Sequence, residues 1–116
     1  FDLLKKLNGD GRFFDETHPR YRAAALAALE AAAGKVQALE INTGGVARGY
    51  REELYPAPFL LKRWKELGGE VILTADAHST DGLLFAFEQA AAYARAAGFE
   101  QAVVLNGQGK PEKCAL

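Results

Sequence analysis

Asp76 and His78 stand two residues apart in the run Thr74-Ala75-Asp76-Ala77-His78-Ser79, a carboxylate and an imidazole that follow an apolar, β-like segment. Side chains at i and i+2 of a strand share a face, so the pair is able to converge on one metal ion. Oxygen and imidazole donors together suit zinc, manganese or iron better than calcium or magnesium. The same run also reads as a turn in which Asp76 and Ser79 cap the next helix and His78 is a loop residue.

A second constellation is Leu39-Glu40-Ile41-Asn42-Thr43-Gly44-Gly45-Val46-Ala47-Arg48-Gly49. Asn42 and Thr43 offer neutral donors and acceptors at a strand end. The glycines permit close backbone approach to a ligand, and Arg48 carries a planar fork suited to phosphate oxygens. The Gly-Lys-Ser/Thr ending of a P-loop is absent, which argues against nucleotide binding of that type. Read blandly, the segment is a turn followed by a solvated arginine. His18, before Pro19, reads as structural or solvent-facing. Cys114 has no histidine near it in sequence and reads as a small apolar filler.

Alternating helical and strand-like patterns position these residues. Thr17-His18-Pro19 predicts a helix entry and Gly34 its exit, with Leu26, Leu29 and Ala33 as the apolar stripe. Val36 to Asn42 predicts a strand. Pro58 to Leu67 predicts a helix with Leu60, Trp64 and Leu67 inward, stopped by Gly68-Gly69. Val71 to Asp76 is the next expected strand, and Asp81 to Ala97 a helix striped by Leu84, Phe87, Ala91 and Ala94. Gln101 to Asn106 is the last expected strand, Asn106 to Pro111 a loop and Glu112 to Leu116 a short tail.

Helices of ten or so residues between strands are what parallel crossovers require, so the fold class is α/β. Strand parity puts Glu40 and Asn42 on one face, and gives Thr74, Asp76 and His78 a common parity. The long Gly- and Arg-containing connection from Thr43 to Pro58, set against tight turns at Gly34 and Gly68, places the functional face at the strand C-termini. Polar groups gathered there favour barrel-like units, with an open sheet binding at a switch point as the alternative.

The chain has 116 residues, 14 basic and 15 acidic, with a net charge of -1 and no run of like charge. That suits one domain over residues 1–116 and lacks the basic footprint of a nucleic-acid binder. A single cysteine cannot close an internal disulfide, and no stretch has the length of a membrane helix, so a reducing, cytoplasmic setting without membrane insertion is expected. A first residue other than Met suggests a sequence that starts within a longer protein.

Leu39-Glu40-Ile41-Asn42-Thr43-Gly44-Gly45, then Tyr55-Pro56 ahead of a Leu-rich helix, then Leu73-Thr74-Ala75-Asp76-Ala77-His78-Ser79, together resemble the histidinol-phosphatase branch of the polymerase and histidinol phosphatase family. The resemblance runs in order through essentially the whole chain. It implies the last three βα units of a distorted (βα)7 TIM-like barrel, and hydrolysis of histidinol phosphate to histidinol in histidine biosynthesis. It also implies up to three divalent ions (Zn, Mn or Fe) in an intact parent, with a small phosphorylated substrate. Asp76 and His78 match the last metal-binding motif, Asn42 and Thr43 the strand-end motif near the substrate, and Arg48 looks like a substrate-phosphate contact. Glu40 is read as a support residue. The family's His-x-His pair, further histidines and bridging carboxylate have no counterpart here, so the chain alone is expected to be inactive. The alternatives are another phosphoesterase of the same family, or a non-catalytic α/β domain that binds an anion.

Overall fold

The computed structural model describes all residues from Phe1 to Leu116. Its elements are α1 (Pro19–Ala32), β1 (Ala38–Asn42), a single turn α2 (Gly44–Ala47), α3 (Pro58–Glu66), β2 (Glu70–Thr74), α4 (Phe87–Ala96), β3 (Gln101–Leu105) and β4 (Pro111–Ala115). Two 3-10 turns, Leu3–Lys5 and Thr80–Gly82, punctuate the connections. The strands form one sheet in the order β1-β2-β3-β4, with β1, β2 and β3 parallel and β4 antiparallel to β3. The expected α/β class is present. No helix is long and apolar enough to cross a membrane.

Register sorts the side chains into two unlike faces. Leu39 lies beside Val71 and Ile41 beside Leu73. These positions join Ala102 in a core with Leu29 of α1, Leu60, Leu61 and Trp64 of α3, and Ala90 and Ala94 of α4. The opposite parity carries Glu40, Asn42 and Thr74, and contributes no strand residue to that helix-packed core. Expected inward residues Leu60 and Trp64 are fully buried, whereas Leu67 is half-buried. Trp64 also donates its indole N–H to the Glu70 carbonyl at 2.7 Å. Its ring fills the space where a Cβ on Gly69 would stand, so this glycine is needed for packing rather than only as a helix stop.

Three expectations are corrected. The helix predicted from Asp81 begins only at Phe87, because Ala86 adopts a left-handed φ of 56° and breaks the chain path. Leu84, expected on the inner stripe, is 73% exposed, and the inward side chains are Ala90 and Ala94. Glu112 to Leu116, expected as a short tail, belongs to a strand: Pro111–Ala115 is a fourth strand that brings Cys114 beside Ala102, exposed rather than filling a core. The turn that returns it is built by Asn106, whose Oδ1 accepts from the Gln108 and Lys110 amides at 2.9 and 3.0 Å, with Gly109 at φ 72°. His18 behaves as expected, exposed at the N-cap of α1 with Nδ1 accepting from the Arg20 amide.

The first 18 residues, for which sequence patterns gave no element, are moored by polar groups. Lys5 is 4% exposed and pairs with Glu16 at 2.9 Å; Arg51 grips the same carboxylate at 2.9 and 3.1 Å. Asn8, buried, accepts from the Phe13 and Phe14 amides and donates to Phe14 O and Glu16. Asp2 accepts from the Tyr21 hydroxyl and from the Ala57 amide just before α3. Such a cluster repays desolvation only when every charge is partnered.

Burial by itself raises the Glu16 carboxyl, but hydrogen bonds from Asn8, Lys5 and Arg51 outweigh it and hold the group below its ordinary value of 4.5. A carboxylate depressed in the folded state adds stability above its unfolded pKa and loses it as pH falls through the folded one. Glu16→Gln should therefore cost about 1–3 kcal/mol near neutrality, because Arg51 loses its carboxylate and buried Lys5 keeps only its longer contact with Glu53 at 3.5 Å. It should also flatten the loss of stability below about pH 4.5. Urea unfolding of both proteins at neutral and acid pH measures the two effects.

Candidate phosphate and metal site

Neighbouring strand ends create the site. Asn42 pairs in register with Thr74, and the Thr43 amide extends the parallel ladder by one bond to the Thr74 carbonyl at 2.9 Å. On the helix-free face, the Glu40 carboxylate accepts from the Thr74 hydroxyl and from Asn42 Nδ2, the latter at 3.2 Å. Asn42 Oδ1 then accepts from the Gly44 amide at 2.8 Å, which turns the chain into α2. Polar parity on this face thus links Glu40, Asn42 and Thr74 into one network, and Asn42 spends its amide on shaping the loop.

The loop delivers Arg48 to the end of β2. Arg48 Nη2 meets Asp76 Oδ2 at 2.9 Å, and Nη1 donates to the Asp76 carbonyl at 2.9 Å. His78 Nδ1 lies 2.7 Å from that same carbonyl and 3.3 Å from Arg48 Nη1. Arginine has no acceptor, so the arrangement that satisfies all three groups is His78 carrying its proton on Nδ1 and sharing the carbonyl with Arg48. Nε2 is then left with its lone pair, the state a metal ligand needs, and the Asp76 carbonyl is the partner that orients the ring.

Asp76, His78 and Arg48 therefore come together, but not by the expected route. β2 ends at Thr74, Ala75 is buried, and Asp76 takes a left-handed φ of 48°. The two side chains each reach Arg48 from a turn rather than from one face of a strand. Asp is among the residues that tolerate this conformation, since its short polar group bonds locally.

Thr43, placed near substrate by its motif, is fully buried with Oγ1 lacking a hydrogen-bond partner, and presents no surface outward. Tyr55 gains a role that periodicity did not indicate. Its backbone exchanges two hydrogen bonds with Asn42, at 3.1 and 3.4 Å, and its ring packs against the α-carbon of Gly45. Its hydroxyl is also buried without a partner, and that burial pushes its pKa upward. An irregular segment that pairs for one residue carries no repeating signal, although Tyr-Pro ahead of a helix marks the place.

The donor types fit two positions of a zinc, manganese or iron sphere: a carboxylate, and an imidazole with Nε2 available. No third His, Cys, Asp or Glu gathers with them. Glu40 holds the Thr74 hydroxyl and the Asn42 amide, the contacts of a support residue.

Gly44 is a crowded point beside Arg48. A Cβ there would stand 2.7 Å from both the Ala75 carbonyl and Arg48 Nη2. Gly44→Ala should destabilise the protein by about 1–3 kcal/mol through overpacking. It should also break the Arg48 contact with Asp76, seen as a changed Arg48 side-chain resonance alongside a lower urea midpoint. No family model and no curated protein matches the chain, so the functional reading rests on these residues, their geometry and the motif resemblance.

Proposed function

We propose that this chain supplies the phosphate-gripping loop and two metal ligands of a metal-dependent phosphomonoesterase of the histidinol-phosphatase kind. A site of that kind takes further ligands, which Asp76 and His78 do not supply. The observation that carries the reading is the convergence of Arg48, Asp76 and His78 at the C-terminal ends of two adjacent parallel strands. The barrel assignment draws support from the sequential parallel order of β1, β2 and β3, with helices packed on one face of the sheet and a polar network on the other, whereas the antiparallel β4 in place of a last helix departs from it. A barrel of this kind carries its functional groups at the C-terminal ends of its strands, where Asn42 and Thr74 lie. A cytoplasmic setting and a small phosphorylated substrate follow from the same reading.

When bound, a divalent cation supplies Lewis-acid polarisation of a phosphoryl oxygen and acidification of water. The chain's own residues do the rest of what can be assigned to it. Asp76 offers a carboxylate and His78 Nε2 a neutral nitrogen, with the His78 ring fixed by its Nδ1 hydrogen bond. Arg48 binds and orients the phosphate through charge-assisted N–H bonds. Asn42 holds the loop that aims Arg48, and Thr43 acts from within the fold as part of that loop.

Asp76→Ala in the intact protein should lose bound metal and fall to background turnover, measured by metal analysis and phosphate release. Full metal content and rate in that variant would remove the ligand assignment. Arg48→Ala should act mainly on KM, lowering kcat/KM about 10- to 100-fold, the worth of one charge-assisted hydrogen bond. The 116-residue chain alone should bind metal weakly and show no enzyme-like hydrolysis of histidinol phosphate, since two ligands do not close a site.

A second reading is a non-catalytic α/β domain that binds an anion through Arg48, whose side chain is 31% exposed at the strand ends. Metal analysis of the intact protein separates the two.

A further inference from the structure

We propose that the outer edge of β4 is a pairing surface for a second copy of this chain, which adds its own β4 antiparallel across a two-fold axis at Cys114.

The hydrogen-bond phase of the β3–β4 hairpin decides which backbone groups are free. The Leu116 amide donates to the Glu100 carbonyl at 3.1 Å, and the Asn106 amide to the Lys110 carbonyl at 2.9 Å. Antiparallel residues alternate between bonded and non-bonded pairs. In the register of the two strands, Glu112 and Cys114 therefore turn their backbone groups to β3, and Lys113 and Ala115 turn theirs outward. β4 ends the sheet and is exposed along its whole length. Its free amides and carbonyls are a template for a further strand.

Charged side chains commonly guard such an edge, and here both are drawn back into the molecule. Lys113 Nζ reaches Glu70 of β2 at 2.7 Å, and Glu112 accepts from Asn106 Nδ2 at 2.6 Å. Pro111 lacks an N–H, but only at the far end of the strand. The rest of the edge is small: Ala115, and Cys114, whose Sγ leans to the outward Ala115 carbonyl at 3.4 Å.

Outward groups must meet outward groups, so self-pairing has few registers, and charge selects among them. An axis at Glu112 sets two carboxylates face to face and wastes a bond on Pro111. An axis at Lys113 sets two lysines face to face and again brings in Pro111. Like charges directly opposite destabilise a pair. An axis at Ala115 pairs only that residue within the strand. An axis at Cys114 avoids all of these faults: Lys113 lies opposite Ala115 of the second copy, and every outward amide of both residues finds a carbonyl. The same symmetry sets two apolar walls side by side on one face of the joined sheet, since Phe87, Val104, Cys114 and Leu116 line a cavity of about 550 Å³ between α4 and the hairpin. Such an interface is isologous, the commonest kind in homodimers.

Sedimentation equilibrium of the intact protein in reductant, from micromolar to millimolar concentration, should show a reversible dimer. Ala115→Pro removes an outward amide and spares the bonds to β3. It should weaken dimerisation about tenfold or more, the loss of one hydrogen bond from each copy. Cys114→Asp, at a residue exposed in the single chain, sets two carboxylates across the axis and should weaken it about fivefold. Circular dichroism confirms the fold of each variant. A protein monomeric throughout overturns the proposal, as does a dimer that either folded variant leaves undiminished. Trapping then tests the register. Opposed residues of a non-bonded pair have Cα atoms about 4.5 Å apart, within disulfide range. Oxidised glutathione, which accepts the two electrons, should link wild type through Cys114 but leave Glu112→Cys/Cys114→Ser unlinked. Equal linking of the two, or none in wild type, overturns the axis at Cys114.

Discussion

The parallel pairing of β1 with β2 is the constraint on which the rest depends. With Asn42 level with Thr74, the chain leaves both strands at the same height, and the Thr43 amide adds a last bond to the Thr74 carbonyl. A slip of one residue would turn Leu39 and Ile41 out of the core and bury Glu40 in their place. The hydrophobic face therefore enforces the height at which Gly44 and Ala75 meet, and that height decides whether Arg48 reaches Asp76. Packing on one face sets the electrostatics at the end of the other.

The two polar clusters of the molecule differ in what surrounds them. Around Glu16, charges are largely withdrawn from water and each has a partner, so the cluster acts as a mooring for the N-terminal segment against the loop before α3. Around Asp76 the charges are partly solvated and the contacts are single. The first arrangement is costly to disturb and the second is cheap to exchange.

Three non-glycine residues, Asp2, Asp76 and Ala86, take a positive φ, and one of them lies at the site. Asp76 is left-handed, which turns the chain so that its carbonyl faces both Arg48 and His78. One carbonyl oxygen thereby orients an imidazole and anchors a guanidinium. Ala86, also left-handed, delays α4, and the residues before it, including Leu83 and Leu84, stand exposed.

The α/β alternation, the inward residues of α3, the polar parity of Glu40, Asn42 and Thr74, and the residues gathered at the strand ends were all legible in the sequence. Periodicity and turn residues report which face a segment buries, because burial repeats along the chain. Other features were not legible that way. The break at Ala86 costs a local conformation no pattern announces, and β4 exists because Ala102 and its neighbours offer an edge to pair with, although Asn106-Gly107-Gln108-Gly109 was a turn signal. Lys5, Glu16 and Arg51 are far apart in sequence and become a cluster only once the fold closes. Residue types at the site were thus written locally, whereas the bonds among Arg48, Asp76 and His78 were decided by tertiary structure, since each depends on the distance between two strand ends that only sheet pairing defines.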